Sequence, residues 1–246
     1  MRKVNLLVLA LLFLGVPSAF AEKHVTNAQI VASIQDGLYH AHVFDHGQVQ
    51  VGFEDGVATL TGTVDSLGVK LDADKAARKV DDVTRVVNNI TINTEDVTDR
   101  QILEQARKQI VTYYAYGIFD NVALEARGNK LIVSGQVSQP FKKEDIGHFL
   151  ARIKGVAELQ NDLEVLPLSS YDDSLRVAIS RAIFNDPYFV RYATQAVPPI
   201  HIIVKNGNVT LEGVVSTELD RIKAENNARF AATFFSLTNN LRVEGK

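Results

Sequence analysis

In three places a glycine that closes a strand-like run is followed 26 residues later by an asparagine: Gly62 to Asn88, Gly135 to Asn161 and Gly213 to Asn239. The glycine stands in Gly56-Val-Ala-Thr-Leu-Thr-Gly62-Thr-Val64, in Asn129-Lys-Leu-Ile-Val-Ser-Gly135-Gln-Val137 and in Gly207-Asn-Val-Thr-Leu-Glu-Gly213-Val-Val215. The asparagine stands in Val83-Thr-Arg-Val-Val-Asn88-Asn-Ile-Thr-Ile92, Val156-Ala-Glu-Leu-Gln-Asn161-Asp-Leu-Glu-Val165 and Phe234-Phe-Ser-Leu-Thr-Asn239-Asn-Leu-Arg-Val243. A pattern written three times at one spacing folds as three copies of one supersecondary unit.

With that register fixed, each segment is read in triplicate. Val49, Val51 and Phe53 alternate ahead of the first turn, as do Val122, Leu124 and Ala126, and Ile200, Ile202 and Val204. Alternation with period two marks a strand with one buried face. Asp55-Gly56 and Asn206-Gly207 are two-residue hairpin turns, because such a turn needs positive φ twice. Arg127-Gly128-Asn129-Lys130 departs from that form, so the second hairpin is expected to be irregular. The late glycine falls on the buried face of the second strand and predicts close packing by a helix, or a bulge.

Between glycine and asparagine the period becomes helical: Ala73, Ala77 and Val80 match Ile146, Leu150 and Ile153, then Ala224, Ala228 and Ala231. A second amphipathic stripe precedes each unit: Ile30, Ile34 and Leu38; Ile102, Ala106 and Ile110; Leu175, Ile179 and Ile183. Thr26-Asn27, Thr98-Asp99 and Tyr171-Asp172-Asp173 are the expected caps. The fold class is therefore α+β: three tandem α-β-β-α-β modules, each a three-stranded mixed sheet with two helices on one face. The expected units are 26–94, 98–167 and 171–246.

Ahead of them, Met1-Arg2-Lys3, an apolar run and Ala19-Phe20-Ala21 form a secretory signal peptide over residues 1–21, with cleavage expected after Ala21. The chain has no cysteine, so disulfides, thiolate metal sites and a lipoprotein anchor are ruled out. Loss of Arg2 and Lys3 takes 26 basic and 29 acidic residues to 24 and 29, a net charge of −5. No nucleic-acid partner is expected of a mildly acidic chain, because phosphate neutralisation needs clustered cations. The charge is uneven: residues 22–95 carry 6 basic and 11 acidic groups, residues 96–167 carry 9 and 10, and residues 168–246 carry 9 and 8.

These segments together resemble the BON domain family. The resemblance rests on the capped first helix, the G-x-V-x-L-x-G-x-V hairpin strand and the V-x-x-V-x-N-x-L-x-V close. The first and third copies carry it best. Soluble members usually hold two such domains; three is a departure. The resemblance implies a periplasmic envelope protein linked to phospholipid binding, membrane integrity, osmotic stress or chaperone-like activity. The partners so implied are a phospholipid membrane surface or envelope proteins, and the alternatives are a chaperone for unfolded exported clients and an interaction scaffold.

The sequence holds no G-x-S-x-G elbow, P-loop or H-E-x-x-H motif, so no catalytic residue, no cofactor and no enzyme activity are expected. Gly56, Gly62, Gly135, Gly207 and Gly213 read as backbone-geometry positions. Asn88, Asn161 and Asn239 read as amides beside a strand start that satisfy loop backbone groups. His40, His42, Asp45 and His46 cluster in the first copy alone and read as a solvated loop, with no metal assigned. The residues expected to meet lipid or a partner follow the first helix of each later copy: Tyr113, Tyr114 and Tyr116, and Tyr188, Phe189, Arg191 and Tyr192. Tyrosine suits a boundary with one wet and one apolar side. The third copy has five extra residues here, near Arg191–Pro199, expected to protrude as a loop.

Overall fold

The computed structural model describes residues 25–245; the leader and its cleavage site lie outside them. Module 1 runs α1 (Asn27–His40), β1 (Gly47–Glu54), β2 (Val57–Val64), α2 (Leu67–Ala77) and β3 (Arg85–Ile92). Module 2 runs α3 (Asp99–Thr112), β4 (Asn121–Arg127), β5 (Lys130–Val137), α4 (Pro140–Ala151) and β6 (Glu158–Val165). Module 3 comprises α5 (Ser170–Phe184), α6 (Val190–Ala193), β7 (Ile200–Lys205), β8 (Asn208–Val215), α7 (Glu218–Ala231), β9 (Ser236–Asn239) and β10 (Arg242–Val243). In every module the second strand is central, antiparallel to the first and parallel to the last. The last strand of module 3 is split: β9 and β10 both pair in parallel with β8, either side of Asn240-Leu241.

Each module closes its own core. Ile34, Leu38, Leu60, Ala73 and Ile90 meet in the first; Ile102, Leu131, Val133, Ile146 and Leu150 in the second; Ile179, Phe189, Ile202, Leu211 and Ala224 in the third. Cores of modules this small are thin, and contacts between modules add to them. Leu67 N–H donates to Val156 O at 2.9 Å, Gly155 N–H to Asp65 O at 2.8 Å, and Arg152 pairs with Asp72. Between modules 2 and 3, Ile202 N–H donates to Ile118 O at 2.7 Å and Lys205 pairs with Glu164 at 2.5 Å. The segment after α3 thus lies along the free edge of β7, which explains why Ile200 to Val204 are buried on both faces.

Four sequence expectations change here. The second hairpin is regular: Gly128 and Asn129 sit at φ 58° and 65°, and Arg127 pairs with Lys130. The order Gly-Asn reverses Asp-Gly, but both residues tolerate positive φ, so the same two-residue turn forms. The late glycines meet neither a helix nor a bulge. Register runs unbroken through Gly62, opposite Val49, and a Cβ there would lie 2.0 Å from the Gln48 carbonyl oxygen of the neighbouring strand. The cap of α5 is Ser169, whose hydroxyl accepts from Asp172 N–H. Asp172 instead accepts from Asn206 N–H and Gly207 N–H, both at 2.8 Å, and fastens the hairpin turn to the helix. The five extra residues of module 3 do not form a bare loop, because α6 carries Tyr192 into the core beside Phe189.

Candidate functional site

The segment after α5 begins with Asp186, whose carboxylate accepts from Tyr188 N–H at 2.9 Å and starts a 3-10 turn over Pro187–Phe189. Phe189 is fully buried and Tyr192 nearly so. The Tyr188 hydroxyl donates to Asp220 Oδ1 at 2.6 Å; the Tyr192 hydroxyl and the Arg191 guanidinium donate to its Oδ2 at 2.9 and 2.5 Å. Asp220 lies in the first turn of α7, where it completes a capping box with Thr217. Burial works to raise its pKa, but the hydroxyls of Tyr188, Tyr192 and Thr217 favour the anion and hold it below the ordinary value. Three of the four aromatic-loop positions of module 3 are therefore tied to one buried carboxylate. Tyr188 and Arg191 keep partial exposure, whereas Phe189 and Tyr192 face inward.

Module 2 solves the same position with reversed charge. Seven residues past the late glycine stand Val69, Lys142 and Asp220 in the three copies, all buried. The Lys142 ammonium donates to Asp120 Oδ2 at 2.7 Å and to Ser138 Oγ at 2.8 Å. Asp120 also accepts from Gly117 N–H and Ser138 N–H. The helix supplies the cation and the loop the anion in module 2, and the converse holds in module 3.

The tyrosines after α3 go three ways. Tyr113 lies against Phe149, ring centres 5.5 Å apart, and its hydroxyl donates to Asp145; burial and that carboxylate raise its pKa. Tyr114 is 86% exposed. Tyr116 packs on His201 of β7 at 5.6 Å, and its phenol is pushed up to about 12 by burial and by Asp120.

His201 was not singled out by the repeat, although Gln50 and Ala123 at the matching positions are exposed. It is 8% exposed and its Nδ1 has no partner among the described residues. Burial lowers its pKa, against the raising influence of the Gly117 and Asp120 backbone and of the Asp120 and Glu212 charges. A histidine whose folded pKa lies below the ordinary 6.5 is stabilising above 6.5, and that contribution is lost as the pH falls. Urea unfolding is expected to show lower stability at pH 5.5 than at pH 7.5, because protonation of His201 is disfavoured in the folded state. His201→Gln should flatten that dependence; an unchanged pH profile in the variant would refute the assignment.

In module 1 the histidines are engaged separately: His40 with Asp36, His42 with Asp45 at 3.0 Å, and His46 with Asp65 at 2.9 Å. Among the described residues no group of three or more His, Asp or Glu side chains is arranged to hold a metal. The repeated asparagines lie within the last strands rather than beside their starts. Asn88, Asn161 and Asn239 donate from Nδ2 to the carbonyls of Lys70, Lys143 and Arg221, at 2.9, 2.9 and 3.0 Å, all inside the helix that follows the hairpin, α2, α4 and α7. Each Oδ1 accepts the N–H two residues on, at 3.2 Å. The amide thus bolts helix to strand in every copy. Gly56 and Gly207 hold their hairpin turns at φ 77° and 76°.

Polar side chains at these positions cap helices, fasten turns and join modules; the class defined is a repeated α-β-β-α-β module with variable loops on a constant frame. The BON domain family matches residues 26–94 and 172–245, and the chain belongs to that family. A protein of Anaplasma centrale described as an uncharacterized protein in the gshII 5′ region is 26% identical over 141 residues, covering 55% of this chain and 91% of that one. Among solved structures, the C-terminal domain of CdsD, a structural protein of the type III secretion system of Chlamydia trachomatis, aligns over 89% of this chain and 99% of its own, with 12% identity and a TM-score of 0.27. The periplasmic domain of PrgH, a type III secretion inner-membrane protein of S. typhimurium, aligns over 86% of this chain and 100% of its own, with 13% identity and a TM-score of 0.22. Among the described residues no helix is long and apolar enough to cross a membrane.

Proposed function

We propose that this is a non-enzymatic, exported envelope protein of three BON repeats, residues 98–167 being the middle copy, and that it engages a phospholipid surface through module 3. The observation that carries the reading is an exposed apolar stripe on α7, where Leu219, Ile222 and Phe230 face solvent, Phe230 at 85% exposure. Val190 and Tyr188 are also exposed, and Tyr188 is bonded to Asp220 beside Leu219. Apolar side chains on a helix face insert into the boundary between headgroups and acyl chains. Arg221, Lys223 and Arg229 flank the stripe, each paired with a carboxylate (Glu218, Asp186 and Glu225), so apolar contact rather than net charge supplies the attraction.

Co-sedimentation with vesicles containing phosphatidylglycerol tests this. The chain from Glu22 onward should pellet with vesicles, and Leu219→Asp with Phe230→Asp should remove at least nine-tenths of the bound fraction. No pelleting of the unaltered chain refutes the reading. If the same variant instead abolishes suppression of client aggregation in vesicle-free buffer, the stripe serves unfolded chains and the chaperone reading replaces the lipid one.

A further inference from the structure

A groove of about 380 Å³ lies where module 2 meets module 3. Gln136, Glu164 and Leu166 line it from module 2, and β7, β8, β9 and Asn240 of module 3 line it from the other side. Ile202 and Leu211 face the core of module 3, so by alternation Ile203 and Thr210 face the groove. The site is therefore on the open side of the sheet, away from α7 and its apolar stripe.

The outward pairs of this sheet differ from those of its two copies. Thr210 stands beside Thr238, and Asn208 beside Ser236. The matching pairs are Thr59 with Val87 and Val57 with Arg85 in module 1, and Ile132 with Gln160 and Lys130 with Glu158 in module 2. Module 3 alone carries hydroxyls or amides at all four positions. The charged side chains in the lining are engaged: Lys205 pairs with Glu164 at 2.5 Å, and Glu212 accepts from Asn240 Nδ2 at 2.7 Å. Gln136, Asn206, Thr210 and Thr238 line the groove too, and their side chains have no hydrogen-bond partner among the described residues. By contrast, Asn88, Asn161 and Asn239 commit their amides to helix carbonyls inside the fold.

We propose that this groove binds a neutral glycan, whose hydroxyls exchange hydrogen bonds with Gln136, Asn206, Thr210 and Thr238. Amides and hydroxyls both donate and accept, as sugar hydroxyls do. Two carboxylates against one ammonium leave the lining no net positive charge to draw a phosphate or carboxylate ligand. Leu166 and Ile203 are almost wholly buried, at 2% and 5% exposure, so an acyl chain finds little apolar surface there. Both walls take part, since Gln136 comes from module 2 and the other three side chains from module 3. The site does not rest on the lipid reading of α7.

The test is an amide NMR titration of the isotope-labelled chain from Glu22 onward with two neutral hexasaccharides. One is the hexamer of N-acetylglucosamine and the other is maltohexaose, which separates an acetamido-bearing sugar chain from a plain one. Saturable shifts at Gln136, Thr210 and Thr238 are expected with at least one of them. Thr210→Val with Thr238→Val removes two hydroxyls and keeps the β-branched shape that suits a strand. It should weaken binding about tenfold, the worth of two ordinary hydrogen bonds. Gln136→Ala, on the other wall, should weaken it about threefold. Absence of shifts with both sugars, or undiminished binding by the threonine variant, overturns the proposal. So does a response to inorganic phosphate or to a blocked hexalysine peptide that equals or exceeds the response to sugar, which would assign the groove to a charged ligand.

Discussion

Gly62→Ala is expected to unfold module 1 at ordinary temperature. The residue sits at φ +127°, and the added Cβ would stand 2.0 Å from the Gln48 carbonyl oxygen. That obstacle is backbone in a paired strand, so no side chain can turn aside. The β1–β2 ladder must part or the residue must leave its φ. An unfavourable φ costs about 1–3 kcal/mol, and forcing volume into a packed site costs about as much again. A total of roughly 4 kcal/mol is comparable to the whole stability of a module this size. The same loss is expected for Gly135→Ala and Gly213→Ala, where the Cβ would meet the Asn121 and Pro199 carbonyl oxygens at 2.1 and 1.9 Å. Gly128→Ala is the control. Its φ is also positive at 58°, but no atom lies within 4 Å of the added carbon, so it should cost only about 1 kcal/mol. Urea unfolding of the four variants checks this; equal effects of Gly62→Ala and Gly128→Ala would show that φ alone matters.

Asp220→Ala is expected to destabilise module 3 by about 3 kcal/mol, within the range for removing one member of a buried ion pair. The loss removes the acceptor of the Tyr192 hydroxyl, one of its three hydrogen bonds, frees the Tyr188 hydroxyl and opens the capping box at Thr217. It stays at the lower end because Arg191 is half exposed and can turn to water. The pH dependence has a definite sign. Asp220 and Asp186 both have folded pKa values below the ordinary carboxylate value of 3.8. Their contribution is full above that value and is lost as the pH falls through it toward 2. Module 3 should therefore melt first on acidification below pH 4. Thermal melts at pH 5, 3.5 and 2.5 would show this, and Asp220→Ala should narrow the pH effect. Loss of modules 1 and 2 ahead of module 3 would contradict it.

The frame was legible because period and spacing are properties of the backbone. A residue on the buried face of a strand or helix must be apolar whatever the neighbouring module does, so Leu60, Leu131 and Leu211 declare themselves. The spacing of glycine and asparagine also survives in all three copies, because each serves a contact inside its own module. The nature of those contacts was not legible. Asn88 reaches the Lys70 carbonyl across 18 residues, and Gly62 yields to a strand carbonyl rather than to a helix. Each is a relation in space between segments that alternation alone leaves undefined.

The loops divide differently. Tyr113, Tyr188 and Tyr192 look alike as aromatic residues after a helix, yet hydrogen bonding to Asp145 or Asp220 settles each one's place. A charged residue at position 142 or 220 reads as solvated, because burial of a charge depends on a partner that arrives from another element. Asp120 and Arg191 are those partners. His201 looked like one more outward residue of β7 until the segment after α3 of module 2 closed over it.

The sequence by itself determined three copies of α-β-β-α-β, their registers, the first and third hairpin turns and their cores, since local periodicity and turn chemistry suffice for these. Only the tertiary structure decided which loop side chains face inward and how the modules abut. Those outcomes rest on charge pairing and volume between residues far apart in the chain, and no local pattern encodes them.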